Sequence, residues 1–144
     1  METTTMGRVV VTATVDNLED LWEVKKGTRR PEEVRRLEIS EALVDTGAKL
    51  LSLPQRYIQQ LGLERLESRE PITTGGRRSF DIYRVVELTV QGRRCVCDVA
   101  SVPDECPVII GYLPLEQLNF VVDPMQQKLI NDPFHKGENL IDML

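Results

Sequence analysis

A chain of 144 residues, 41% apolar and 28% charged, has the size and composition of one soluble globular domain with its own core. Its net charge of −5 argues against a nucleic-acid backbone as the main partner, and no stretch approaches the length that spans a bilayer. The start, METTTMGRVVVTATVD, lacks a basic segment followed by a long apolar run, so no cleaved signal peptide is expected and the expected location is cytoplasmic.

Residues 8–16 (RVVVTATVD) are rich in β-branched side chains and predict a first strand. Residues 17–26 (NLEDLWEVKK) are ambiguous, since Leu18, Leu21 and Trp22 fit one helical turn while 21–24 could equally be extended. A charged loop follows over 27–36, where Lys25, Lys26, Arg29, Arg30, Arg35 and Arg36 crowd together as a solvated surface or a basic patch. Val34, Leu37 and Ile39 then step like a strand into residues 42–53, ALVDTGAKLLSL. Pro54 suits the first turn of a helix, Tyr57, Ile58 and Leu61 share its face, and Gly62 stops it.

Residues 64–70 (ERLESRE) read as exposed and polar. A hairpin is predicted over 71–83 with Gly75-Gly76 at its tip, because the pair tolerates the positive φ values of a two-residue turn. Val86, Leu88 and Val90 alternate on one strand face, Gln91-Gly92 turns the chain, and 94–102 returns as the partner strand. After a loop at 103–107 come a second buried run, Val108-Ile109-Ile110, closed by Gly111, and a short helix over 114–118. A last hairpin joins 120–122 to 128–130, and the tail from Asn131 ends in the apolar LIDML. Mainly short strands with two brief helices predict an all-β fold, a small closed β structure.

The three cysteines, Cys95, Cys97 and Cys106, are an odd number and a poor disulfide framework. Cys95 and Cys97 read as small buried residues on one strand face. The only histidine, His135, is remote, and a lone C-x-C lacks zinc-site spacing, so no metal site is expected.

The chemistry centres on one carboxylate. Asp45 stands between apolar runs, in a turn of small residues, Thr46, Gly47 and Ala48. A carboxylate next to buried flanks must be hydrogen-bonded or paired. Thr46 offers a hydroxyl that donates and accepts, and Gly47 lets the backbone pass closely under the acid. The bland role for such an Asp is an Asx-turn or cap.

The stretch Val44-Asp45-Thr46-Gly47-Ala48, followed by the Gly-Gly hairpin, by Val108-Ile109-Ile110-Gly111 and by a short helix, resembles the aspartic proteases, and their single-domain retropepsin-like branch in particular. The resemblance covers roughly residues 40 to 130. It implies a closed β-barrel-like acid-protease fold with one pepsin-like half per chain, a domain over residues 1–130, and a tail over 131–144 that belongs to the domain or to a dimer contact. It implies an aspartic endopeptidase without metal or organic cofactor, acting on peptide or unfolded protein.

In such enzymes two carboxylates share a proton: one draws a proton from water while the other donates to the scissile carbonyl. Only one Asp-Thr-Gly occurs here, so the second acid would come from another copy across a two-fold axis, giving a homodimer. By resemblance Asp45 is the catalytic acid, Thr46 braces the pair, and Gly47, with Ala48 beside it, lies against substrate backbone. Thr74, Gly75 and Gly76 would form the flap over bound peptide, and Ile110 and Gly111 would support the active-site turn from beneath. Two residues depart from the pattern: Lys49, where relatives more often carry Ser or Asp, and Tyr112, where viral members often carry Arg. An ion pair between those positions is therefore absent. An ammonium beside the acid pair favours its ionised form and implies a low pH optimum or weak activity, unless Lys49 snorkels outward. The alternative reading is a catalytically weak or inactive retropepsin-like dimeric module that binds peptide. A further rival is an interaction protein whose Asp-Thr-Gly is incidental.

Overall fold

Strand β1 (Val9–Asn17) buries alternate apolar side chains, Val9, Val11, Ala13 and Val15, as its sequence predicts. A computed structural model describes residues 9–69, 72–73, 76–77, 80–123, 125 and 128–131. The ambiguous segment after β1 is a helix, α1 (Leu18–Lys26). Asn17 decides this: its side chain accepts from the Asp20 backbone N–H at 3.0 Å and donates to the Leu61 carbonyl at 2.7 Å. The cap therefore satisfies an orphan amide of the helix and ties α1 to a distant element. Gly27, at φ 83°, closes the helix in the left-handed region that glycine adopts without penalty.

A short 3-10 turn (Pro31–Glu33) leads to β2 (Arg36–Val44), which pairs antiparallel with β1. After the Asp45 turn come β3 (Leu51–Pro54), α2 (Gln55–Leu61) and β4 (Glu64–Arg69). Pro54 ends β3 and caps α2, one position before the helical turn expected of it, while Gly62 ends α2 at φ 65° as anticipated. Of the polar segment 64–70, residues 64–68 are exposed as expected, yet 64–69 is a strand, paired with β7 (Phe80–Val90). It lacks alternation because it flanks the sheet, so its backbone bonds come from β7 and not from a buried face.

Residues 72–73 and 76–77 form a small separate pairing of β5 (Ile72–Thr73) with β6 (Gly76–Arg77). Thr73 pairs with Gly76, so Gly76 is a strand residue and not part of the expected Gly-Gly tip. Thr74 and Gly75 lie outside the described residues. β7 turns into β8 (Arg93–Val102) through Gln91 and Gly92, at φ 51° and 82°, the pair of positive values of a tight hairpin. Two-residue β9 (Ile109–Ile110), α3 (Tyr112–Gln117), β10 (Phe120–Asp123) and β11 (Lys128–Asn131) complete the described chain. Helix α3 begins two residues earlier than expected. The tail beyond Asn131 lies outside the described residues.

The protein is mainly β, with three helices besides the 3-10 turn among the described residues. Its main sheet runs β1-β2-β9-β3-β8-β7-β4, and a further pairing of Thr14–Asn17 in β1 with Val86–Thr89 in β7 brings the sheet round on itself as a ring. Val9, Val15, Leu51, Leu53, Ile58, Val86, Leu88, Val99 and Ile110 fill the core, each no more than 1% exposed. Each removes its apolar surface from water, worth roughly 1.5–3 kcal/mol for a Val or Leu side chain.

Candidate active site

The Asp45 turn hangs between two strands that never pair with each other. β2 enters it and β3 leaves it, while β9 lies between them, parallel to β2 (Val44 opposite Ile110) and antiparallel to β3 (Leu51 opposite Ile110). The turn must therefore arch over the end of β9. The Asp45 backbone N–H donates to the Ile110 carbonyl at 3.0 Å, and the Ala48 N–H donates to the Asp45 carbonyl at 3.0 Å. Val44, Leu51 and Ile110 beneath are buried.

The far side of the turn is held by the start of α3. Gly111 N–H donates to the Leu50 carbonyl at 3.0 Å, Tyr112 N–H to that of Ala48 at 2.9 Å, and Leu113 N–H to that of Lys49 at 3.1 Å. These first-turn amides have no partner within their own helix, and the turn's carbonyls satisfy them. Gly111 makes the contact sterically feasible. A Cβ there would stand 2.5 Å from the Lys49 carbonyl carbon, 2.6 Å from the Leu50 oxygen and 2.7 Å from the Ala48 oxygen. Any side chain would force two backbone segments apart. Ile110 and Gly111 thus stand beneath the turn, where the sequence expectation put them.

Asp45 itself is exposed, and its Oδ1 accepts from the Gly47 N–H at 2.9 Å. Within one chain the acid therefore lies on the surface, preceded by the buried Val44 but not buried itself, and it makes the Asx-type bond of the bland alternative. Gly47 serves by its small size and not by a left-handed φ, for an added Cβ would meet Asp45 Oδ1 at 3.2 Å. Thr46 and Lys49 are exposed and Ala48 is half-buried. Gly76 belongs to the small β5–β6 pairing, and the other residues expected to form a flap, Thr74 and Gly75, are outside the described residues.

Of this charged cluster the four arginines pair with acids of the chain, while Lys25 and Lys26 are exposed, as a solvated surface would have them. Arg35 donates to the buried Asp20 through its backbone N–H, Nε and Nη2, each at 2.9 Å, and Arg29 lies 3.3 Å from the same carboxylate. The Arg35 guanidinium lowers the Asp20 pKa against the opposing effect of burial. Arg36 grips Asp16 at 2.6 and 3.2 Å, and this bond raises the Arg36 pKa. Arg30 pairs with Glu33. These contacts were missed from sequence, although Asn17 three residues before Asp20 carries a helix-start signature.

Another residue that was missed is Arg93, a buried arginine whose Nη1 donates to the Leu118 and Asn119 carbonyls at 2.9 Å each. Cys95 is buried and Cys97 half-buried, and all three cysteines are free thiols. The Cys95 thiol, together with burial, pushes the Cys97 pKa well above its ordinary value. Among the described residues no group of three or more His, Cys, Asp and Glu side chains could hold a metal ion, and no helix is long and apolar enough to cross a membrane. No protein-family model matches the chain, and no curated protein matches it.

Proposed function

We propose that the chain is a retropepsin-like aspartic endopeptidase that works as a homodimer, with Asp45 of each copy forming the acid pair. The observation that carries the reading is the support of the Asp45 turn. An exposed aspartate follows a strand whose last turnward residues, Ala42 and Val44, are buried, and a third strand inserted under the turn presents a glycine that backbone contacts leave no room to replace. Such a turn holds its carboxylate on a rigid base, as positioning for catalysis requires. The exposure of Asp45 in one chain also suits a pair completed by a second. Water between the two carboxyls would lose a proton to the ionised member, while the protonated member donates to the peptide carbonyl. The substrate would be an extended peptide, bound through its backbone as an added strand.

A second reading, a dimeric peptide-binding module without catalysis, draws on the Asp45–Gly47 bond, which a turn needs with or without chemistry, and on the exposed Lys49 beside it. One experiment separates them: mass in solution, together with cleavage of a mixed peptide library at acidic and neutral pH, with and without a pepstatin-type inhibitor. The peptidase reading expects a dimer whose cleavage is inhibited and is abolished by Asp45→Asn without loss of the dimer. A dimer that cleaves at no pH favours the binding module. A protein that remains a monomer while binding no peptide removes both.

A further inference from the structure

Trp22, the only tryptophan of the chain, is 48% exposed on α1. It lines an open groove of about 590 Å³ between α1 and the outward face of β7 and β8, with Leu21 on the helix and Val96, itself 46% exposed, on the strand. An indole and a valine left this bare in the lining of a groove mark a contact site. The rim is charged. Arg36 is already engaged by Asp16, and Glu87 adds one acid, but Lys25 and Arg94 are exposed cations at the groove.

The chain carries a segment of matching chemistry. Residues 138–143 read ENLIDM, three apolar residues interleaved with two acids. The described chain stops close by, since Asn131 at the end of β11 accepts a hydrogen bond from Arg93, the neighbour of Arg94. From Asn131 to Leu140 is about nine residues, which span at most about 30 Å. That is enough to pass round the β7–β8 turn at Gln91-Gly92 to the outward face.

We propose that this groove is the docking site of the chain's own segment 140–143, with Leu140, Ile141 and Met143 covering Trp22 and Val96 and Asp142 meeting Arg94. The inference is independent of the peptidase reading, for the groove does not include the Asp45 turn.

Because Trp22 is the sole tryptophan, its fluorescence reports the groove directly in the full chain. Docking predicts a blue-shifted emission and acrylamide quenching about twofold weaker than in a Leu140→Ser, Ile141→Ser variant of unchanged circular dichroism, since a ring near half-exposed loses most of its contact with water. The protection should not vary with protein concentration. Arg94→Glu should abolish it, and adding Asp142→Arg should restore it, a rescue that general loss of structure would not give. Equal quenching in the wild type and the tail variant overturns the proposal. So does a failed rescue, or protection that grows with concentration, which would assign the groove to a second copy.

Discussion

At Gly111 a single hydrogen atom faces three backbone atoms of the Asp45 turn, and the replacement of that hydrogen by a methyl group is the sharpest test of the turn's architecture. The neighbouring atoms at 2.5–2.7 Å are main chain, unable to swing aside as the end of a long side chain could. Overpacking of this kind costs about 1–3 kcal/mol. Gly111→Ala should lower the unfolding free energy measured by chemical denaturation by that amount and move the amide resonances of residues 45–50, whereas a variant with native stability would show the contact to be looser than the structure has it. Asp20 offers a second residue-scale test. Its folded-state pKa lies below the unfolded value, chiefly through the Arg35 hydrogen bonds. The stabilisation is therefore complete above the unfolded carboxylate pKa of about 4 and is lost as pH falls through the lower folded one. Asp20→Asn should cost about 1.5–3 kcal/mol at neutral pH and flatten the acid limb of the stability–pH curve; an unchanged limb would place the acid sensitivity elsewhere.

Among the elements, the β10–β11 hairpin depends on one residue of another strand. Arg93 donates to the carbonyls of Leu118 and Asn119, lies 4.3 Å over the Phe120 ring and reaches Asn131. Arg93→Met keeps the stem's bulk but leaves buried carbonyls without a donor, which costs about 2–4 kcal/mol. Hydrogen exchange should quicken in residues 120–131 before it does in β7 and β8, and uniform quickening would mean that the hairpin is not a separate unit of stability. Nothing in the sequence around Arg93 signals this role, because a buried arginine is defined by distant carbonyls and not by its neighbours. The local elements were legible for the converse reason. Val86, Leu88 and Val90 alternate, Gln91-Gly92 suits a positive-φ turn, and Gly62 ends a helix, each a consequence of residues a few positions apart. β4 was not legible as a strand, since its exposed face carries no hydrophobic period. The Asp45 turn and its Ile110-Gly111 support could be read from sequence, yet the exposure of the acid could not, because buried flanks say nothing of which way the turn points.

At the scale of the whole molecule the ring closes through β1 and β7, strands some seventy residues apart, and β9 enters between β2 and β3 from a similar distance. Such non-local pairings leave no short-range mark, and they set the base on which the exposed Asp45 turn stands. If the proposed acid pair is formed by two copies, activity must depend on the square of the intact fraction and not on the fraction itself. Subunits of wild type and Asp45→Asn, exchanged to equilibrium in equal amounts, would form wild-type homodimers in about one quarter of the assemblies, because a closed two-fold pair draws each member independently. A mixed pair carries one carboxylate and lacks either the general acid or the general base. Peptidase activity per total protein should therefore fall to about one quarter of the wild-type value after exchange, and to about one half when the two proteins are mixed without exchange. Native mass spectrometry counts the mixed dimers in the same sample. Activity that stays at one half while mixed dimers form would mean that each chain works alone, and the shared acid pair would have to be abandoned.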